Sequence, residues 1–288
     1  VLILSDFRLH RPASLADALL LRAELGDEAA VYAGGTELLL ALKMGVLEYE
    51  HLIDIKRCPE LRGVQQVDGT VRIGAATTHR DLETSPLLAR LLPALAELER
   101  HVANIRVRAA GTIGGNLAFA EPHADPPAML TALDARVELA GAAGVRELAV
   151  EDFVLGAYET ALGDDELVTA VVVPVPPAGV RATYRKLATL ERPTVGVAVM
   201  GEVAGDTFAT APAVVVGAVD ERPLRVDATP LAGASVRDRD ALEAVVEAAR
   251  DLVDPVDDLS GSADYKRHLT GVVTRRALEH IVDPGSPS

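Results

Sequence analysis

Two short glycine pairs could do chemistry in this chain: Gly34-Gly35 in AGGTE and Gly114-Gly115 in TIGGN. Each sits among small residues beside a hydroxyl or an amide, Thr36 at the first pair and Thr112 and Asn116 at the second. Glycine has no Cβ, so a ligand can approach the backbone closely and successive N–H groups can be aimed at it. Two such loops facing each other would hold both phosphates of a pyrophosphate by backbone donors alone, with no obligatory Lys or Arg. Taken singly, each pair reads at least as readily as a tight turn, because short glycine motifs recur by chance. Neither pair is G-x-G-x-x-G or G-x-x-x-x-G-K-[ST], which counts against a Rossmann dinucleotide domain and a P-loop. Spacing alone therefore points to a phosphate-bearing ligand and no further.

The other reactive residue types suggest less. Asp125 in EPHAD precedes Pro126-Pro127 and can cap the helix those prolines open. Lys186 in YRKL has the plain reading of a solvated strand lysine. His123 lies two residues from Asp125 but has no Cys or His neighbour, so it reads as a loop histidine, hydrogen-bonded or exposed. The remaining histidines are scattered without metal-ligand spacing. Cys58 is the one cysteine: it excludes a disulfide within the chain, cannot alone hold zinc or an iron–sulfur cluster, and reads as a buried, inert thiol. No nucleophile–base–acid set stands out.

The elements around these residues follow from local signals. Ser14, with Asp17 three residues on, opens a helix that Gly26 closes. VYAGG (31–35) is a strand meeting a glycine turn, and Thr36 can cap the helix ELLLALKM that follows. HLIDI (51–55) and VRIGAAT (71–77) are strands, and Thr78 caps HRDLE. One helix is expected from about Pro86 to His101, on the spacing of its leucines. The stretch AAGTIGGNLAFAEPHAD (109–125) shows little helical periodicity. RVELAG and VRELAV bracket a hairpin, and ELVTAVVVPVP (166–176) is a strand. RATYRKL, TVGVAVMGEV and APAVVVGAV suggest an antiparallel sheet. Two helices follow it, one with Leu242, Val245, Val246 and Ala249 on its apolar face, the other with Tyr265, Leu269, Val272, Val273 and Ile281. Strands followed by helices indicate α+β. The tail DPGSPS is expected to fray.

Composition sets outer bounds. The 288 residues, 49% of them hydrophobic, suffice for one large or two modest domains. With no Trp and 3% aromatics, the cores must be aliphatic. The net charge of −15 counts against non-specific nucleic-acid binding and mainly favours solubility. The opening VLILSDFRLHRP is too short and too soon charged for a signal peptide or membrane span, and no apolar run elsewhere reaches bilayer length. A cytoplasmic location with no membrane span is expected.

YAGGTELLLALKMG, HLIDI, VRIGAATTHRDLE, NIRVRAAGTIGGNLAFAEPHADPPAMLTAL and YRKL, in this order and spacing, resemble the FAD-binding medium subunit of the xanthine dehydrogenase family of molybdenum hydroxylases. Aerobic carbon monoxide dehydrogenase is a member of that family with a separate flavin subunit. GSADYKRHLTGVVTRRAL resembles the family's carboxy-terminal flavoprotein domain. The resemblance implies an FAD-binding fold of the vanillyl-alcohol-oxidase-like type, with two subdomains (residues 1–57 and 58–177) and a C-terminal α/β domain (178–288). It implies that Ala33, Gly34, Gly35, Thr36 and Glu37 form the first FAD loop, and Thr112, Ile113, Gly114, Gly115 and Asn116 the second. Both would hold the pyrophosphate, with the N–H of Gly115 facing a phosphate. Asp125 matches an acidic residue that contacts the cofactor, and Lys186 a lysine near the flavin.

The resemblance further implies non-covalent FAD in this chain, with a molybdenum–pterin cofactor and two iron–sulfur clusters in partner subunits. The expected assembly is a dimer of heterotrimers, with an iron–sulfur small subunit and a molybdopterin large subunit. Electrons would pass from the clusters through FAD to an external acceptor such as a quinone or NAD. The alternatives are a stand-alone FAD-dependent reductase of the same fold and a flavin-free assembly subunit. Some relatives cover the isoalloxazine with an aromatic ring, a role that the sequence, which has no Trp, assigns to no particular Tyr or Phe. Some carry an extra cluster in a cysteine-bearing loop, which one cysteine cannot supply.

Overall fold

The structure, a computed structural model, describes residues 5–188, 191–283 and 285. The tail expected to fray lies largely outside these residues. No helix among them is long and apolar enough to cross a membrane.

The first part is a small parallel sheet. His51–Asp54 lies between Arg8–His10 and Ala29–Tyr32 and pairs parallel with both. Parallel strands need crossovers: the helix Leu15–Leu25 joins the two outer strands, and the connection holding Leu38–Lys43 leads on to the central one. The helix Leu15–Leu25 has local signals at both ends. Ser14 opens it as expected, its Oγ accepting from the Asp17 N–H at 3.1 Å, and Gly26 closes it at φ +50°. Ala18, Ile53, Ile55, Leu61 and Cys58 pack together beneath the sheet, so the thiol is buried as expected. The first glycine pair leaves the carboxyl end of Ala29–Tyr32, the end where parallel strands commonly present ligand loops.

The middle part is a five-stranded antiparallel sheet, in the order Val64–Val67, Thr70–Gly74, Leu167–Pro174, Arg136–Gly141, Gly144–Ala149. Helices cover one face, burying Val71, Ile73, Leu82, Leu95, Ile113, Leu117, Met129 and Val171. Two expectations fail here. The single helix over 86–101 is two, Pro86–Leu91 and Pro93–Arg100, with Leu92 at φ −135° and ψ 60° between them. Pro93 has no N–H to continue the ladder and disfavours helical geometry at the residue before it. The stretch 109–125 is not irregular throughout: Ile105–Ala110 ends within it and Ile113–Phe119 is a helix. Its small residues hide the periodicity, but Ile113 and Leu117, four apart, both enter the core.

The last part is an antiparallel sheet, Val180–Leu187, Val195–Ala204, Ala213–Gly217, Leu224–Val226, backed by the helices Arg239–Leu252 and Ala263–Val282. Leu242, Val245, Val246 and Ala249 are buried as expected. On the second helix the buried apolar stripe is Leu269, Val273, Ala277, Leu278 and Ile281, while Tyr265 faces solvent, contrary to expectation. The stripe drifts because 3.6 residues per turn carries Tyr265 off a face defined by Leu269 to Ile281. Helix and sheet together give the α+β class read from the sequence.

Candidate functional site

Gly34 is held against the approach to the second loop. A Cβ there would stand 2.2 Å from the Ala110 carbonyl oxygen and 2.7 Å from Gly111 Cα, so the two loops touch where only glycine fits. Gly35 has φ +71°, and a Cβ there would enter the Tyr32 ring. Thr36 does not cap the helix that follows. That helix begins at Leu38, with Glu37 at the N-cap position and no side-chain cap. The N–H groups of Gly34, Gly35 and Thr36 find no backbone acceptor among the described residues. Successive N–H groups without partners are what an anion-binding backbone concavity requires.

The second loop is different. Thr112 caps Ile113–Phe119, its Oγ1 accepting from the Gly115 N–H at 3.1 Å. The Ile113 N–H donates to Thr77 O, Gly114 N–H to Ala75 O and Asn116 N–H to Thr112 O. Every N–H of this first turn is therefore engaged, which corrects the expectation that the Gly115 N–H is turned toward a ligand. Gly114 is needed for packing, since its Cβ would lie 2.5 Å from Ala75 Cβ. What the second loop leaves open is Asn116 Oδ1, buried without a partner.

Asp125 and Lys186 meet. Asp125 is 4% exposed, and its expected capping bond is absent. Its Oδ1 instead accepts from the Tyr184 hydroxyl at 2.9 Å and its Oδ2 from Lys186 Nζ at 2.9 Å. Tyr184 and Lys186 are alternate residues of one strand and so share a face. Lys186 also donates to His101 O at 2.7 Å, so it is not the solvated lysine of the plain reading. Burial pushes the Asp125 carboxyl up, against the Lys186 charge. Burial and the adjacent carboxylate push the Tyr184 hydroxyl well above its ordinary value.

A further link crosses the mouth. Arg192, from the connection after Val180–Leu187, donates to Glu37 at 3.0 Å and lies 3.1 Å from Glu121. His123 Nδ1 lies 3.1 Å from Glu121, so it is the hydrogen-bonded loop histidine expected. The sequence reading missed Tyr184, Arg192 and a buried pair, His79 with Glu99. Only Tyr184 had a signal, its i, i+2 relation to Lys186.

These parts enclose a cleft of roughly 380 Å³. Ala33 to Glu37, Thr112, Gly114, Gly115, Asn116 and Asp125 line it. Ile113 and Lys186 do not: Ile113 is fully buried in the core, and Lys186 stands behind Asp125. The cleft is lined by unpaired backbone amides, with carboxylates around them. An anionic group placed there would meet backbone N–H groups rather than a cluster of free cations.

Residues 5–176 match the family model described as the FAD binding domain in molybdopterin dehydrogenase, and residues 174–281 match the CO dehydrogenase flavoprotein C-terminal domain. The carbon monoxide dehydrogenase medium chain of Hydrogenophaga pseudoflava is 36% identical over 287 residues, covering 94% of this chain and 96% of its own length. The nicotine 6-hydroxylase medium subunit of Paenarthrobacter nicotinovorans is 30% identical, covering 96% of this chain and 97% of its own length. Among solved structures, reconstituted CO dehydrogenase from Oligotropha carboxidovorans superposes with a TM-score of 0.93 at 36% identity, covering 97% of this chain and 99% of that one.

Proposed function

This chain belongs to the family of FAD-binding domains of molybdopterin dehydrogenases, and from that premise we propose that its cleft holds FAD and serves electron transfer within a molybdenum hydroxylase. The observation that carries the proposal is the contact of the two glycine loops, one with free amides and the other a packed wall. The residues fit the cofactor. The amides of Gly34, Gly35 and Thr36 suit a pyrophosphate, and the orphaned Asn116 Oδ1 suits a hydroxyl or N–H donor. Gly34 lets the two loops touch, where any Cβ would run into the Ala110 and Gly111 backbone. FAD supplies the redox chemistry, taking electrons singly and passing on two, while the protein supplies position and electrostatics. In this role Glu37 and Arg192 brace the first loop, and the Asp125–Lys186–Tyr184 set fixes the opposite wall.

In this reading the substrate is oxidised in a molybdopterin large subunit, and an iron–sulfur small subunit delivers the electrons. The short helix Leu38–Lys43, next to the first loop, supports a partner surface there: none of its residues is buried, and Leu40 is 49% exposed. Met44 and Val46 just beyond it are 60% and 69% exposed. A stable interface needs about 1,000 Å² in total, and apolar side chains of this kind form the middle of such a patch. Replacing Leu40 and Met44 together by Asp is expected to abolish co-purification with the partner subunits and leave the chain's own flavin in place. Tagged pull-down with cofactor absorbance reads both.

The whole proposal is tested by turnover. The isolated chain should reduce artificial dyes with a direct flavin reductant yet leave the complex's own substrate untouched. Adding the iron–sulfur and molybdenum subunits should restore turnover. Full substrate oxidation by the metal-free chain would make it a stand-alone reductase, and a chain without flavin an assembly subunit.

A further inference from the structure

His79 opens the helix His79–Glu83 and is 3% exposed, with Nδ1 2.7 Å from Glu99 Oε2 on the helix Pro93–Arg100. With Glu99 as a carboxylate, which can only accept, Nδ1 carries the proton and the ring is fixed in one orientation. The opposite edge is turned toward the cleft. His79 lines the cleft, and its Cδ2, bonded to Nε2, stands 3.2 Å from the point where a Cβ on Gly111 would be. Thr36 Oγ1 stands 3.4 Å from that same point. The Nε2 edge therefore lies where the two glycine loops meet.

Glu99 is fully buried, yet its Oε1 has no partner. A buried polar pair with an unmatched oxygen is a poor staple, because apolar side chains of similar volume would hold the helices at least as well. The pair is accounted for if the imidazole is wanted at the cleft. We infer that His79 contacts the cofactor, its Nε2 bonding an oxygen of the ribityl–phosphate chain, and that Glu99 is the positioning residue that holds the ring. This rests on FAD occupying the cleft.

The test is titration of the flavin-free chain with FAD, followed by flavin fluorescence, together with the Tm of the flavin-free chain. His79→Asn keeps an N–H near the Nδ1 position for Glu99 but has nothing at Nε2. His79→Gln sets an amide near the Nε2 position. His79→Asn is expected to weaken FAD binding about tenfold, one hydrogen bond's worth, with the Tm unchanged, and His79→Gln to recover most of the loss. Wild-type affinity in both variants overturns the inference while leaving the cleft reading intact. So does an affinity that His79→Gln fails to restore while both variants lower the Tm, since the pair is then a staple only. Failure of the wild-type chain itself to bind FAD counts instead against the cleft reading.

Discussion

Gly34→Val is expected to yield a chain that purifies colourless. The new Cβ would stand 2.2 Å from Ala110 O and 2.7 Å from Gly111 Cα, both backbone atoms that cannot swing away. The two loops must part, and the free amides of Gly34, Gly35 and Thr36 lose their aim. FAD affinity should fall by at least about a hundredfold, or about 2.8 kcal/mol. Gly115→Ala is the contrast, because its Cβ meets only Thr112 Oγ1, at 2.9 Å. It should disturb the cap, worth about 1 kcal/mol, and keep most of its flavin. The ratio of flavin to protein absorbance, with circular dichroism to verify folding, measures both. A yellow, stoichiometric Gly34→Val chain would mean that the first pair is only a turn.

Lys186→Met should be the most destabilising of the single changes near the site. It leaves the Asp125 carboxylate buried with Tyr184 as its one remaining hydrogen-bond donor among the described residues. Breaking a buried pair from one side costs about 3 kcal/mol or more, which for a chain of this size lowers the Tm by roughly 6–12 °C. Adding Asp125→Asn should return most of the loss, because no charge is then left unpaired. The pH dependence has a definite sign. Burial raises the folded carboxyl above its ordinary value, so its favourable contribution is full below the unfolded value and is lost as pH rises through the folded one. Removing Lys186, the strongest opposing influence, raises it further. The variant's deficit should therefore be largest near neutral pH and shrink on acidification, as thermal melts across the acid range would show. A deficit that grows on acidification would contradict the account.

Much of the fold was legible because its signals are local. Ser14 with Gly26, the Thr78 capping box and the alternating valines of the later strands each act within a few residues. The elements that escaped depend on something else. Pro93 divides a leucine pattern that continues smoothly across it. Ile113–Phe119 is anchored by two buried residues among glycines and alanines, too few to make a period. At the site, residue types pointed to both loops, whereas only the family resemblance pointed to Asp125 and Lys186. Residue types did not tell the loops apart: the Gly115 amide is taken by nearby Thr112, a cap within reach of sequence reading, but those of Ile113 and Gly114 are taken by Thr77 and Ala75, far off in sequence. The His79–Glu99 pair and the Arg192 bridge between Glu37 and Glu121 are likewise products of tertiary folding.

Equilibrium titration of the flavin-free chain with FAD, and in parallel with FMN, tests the central claim most directly. If free amides at the first loop and the wall of the second grip a pyrophosphate, binding saturates at one FAD per chain. FMN, which has a single phosphate, then binds at least about tenfold more weakly. Denaturation of the FAD-loaded chain releases all of the flavin. Absence of saturable FAD binding, or equal affinity for FMN and FAD, would contradict the account.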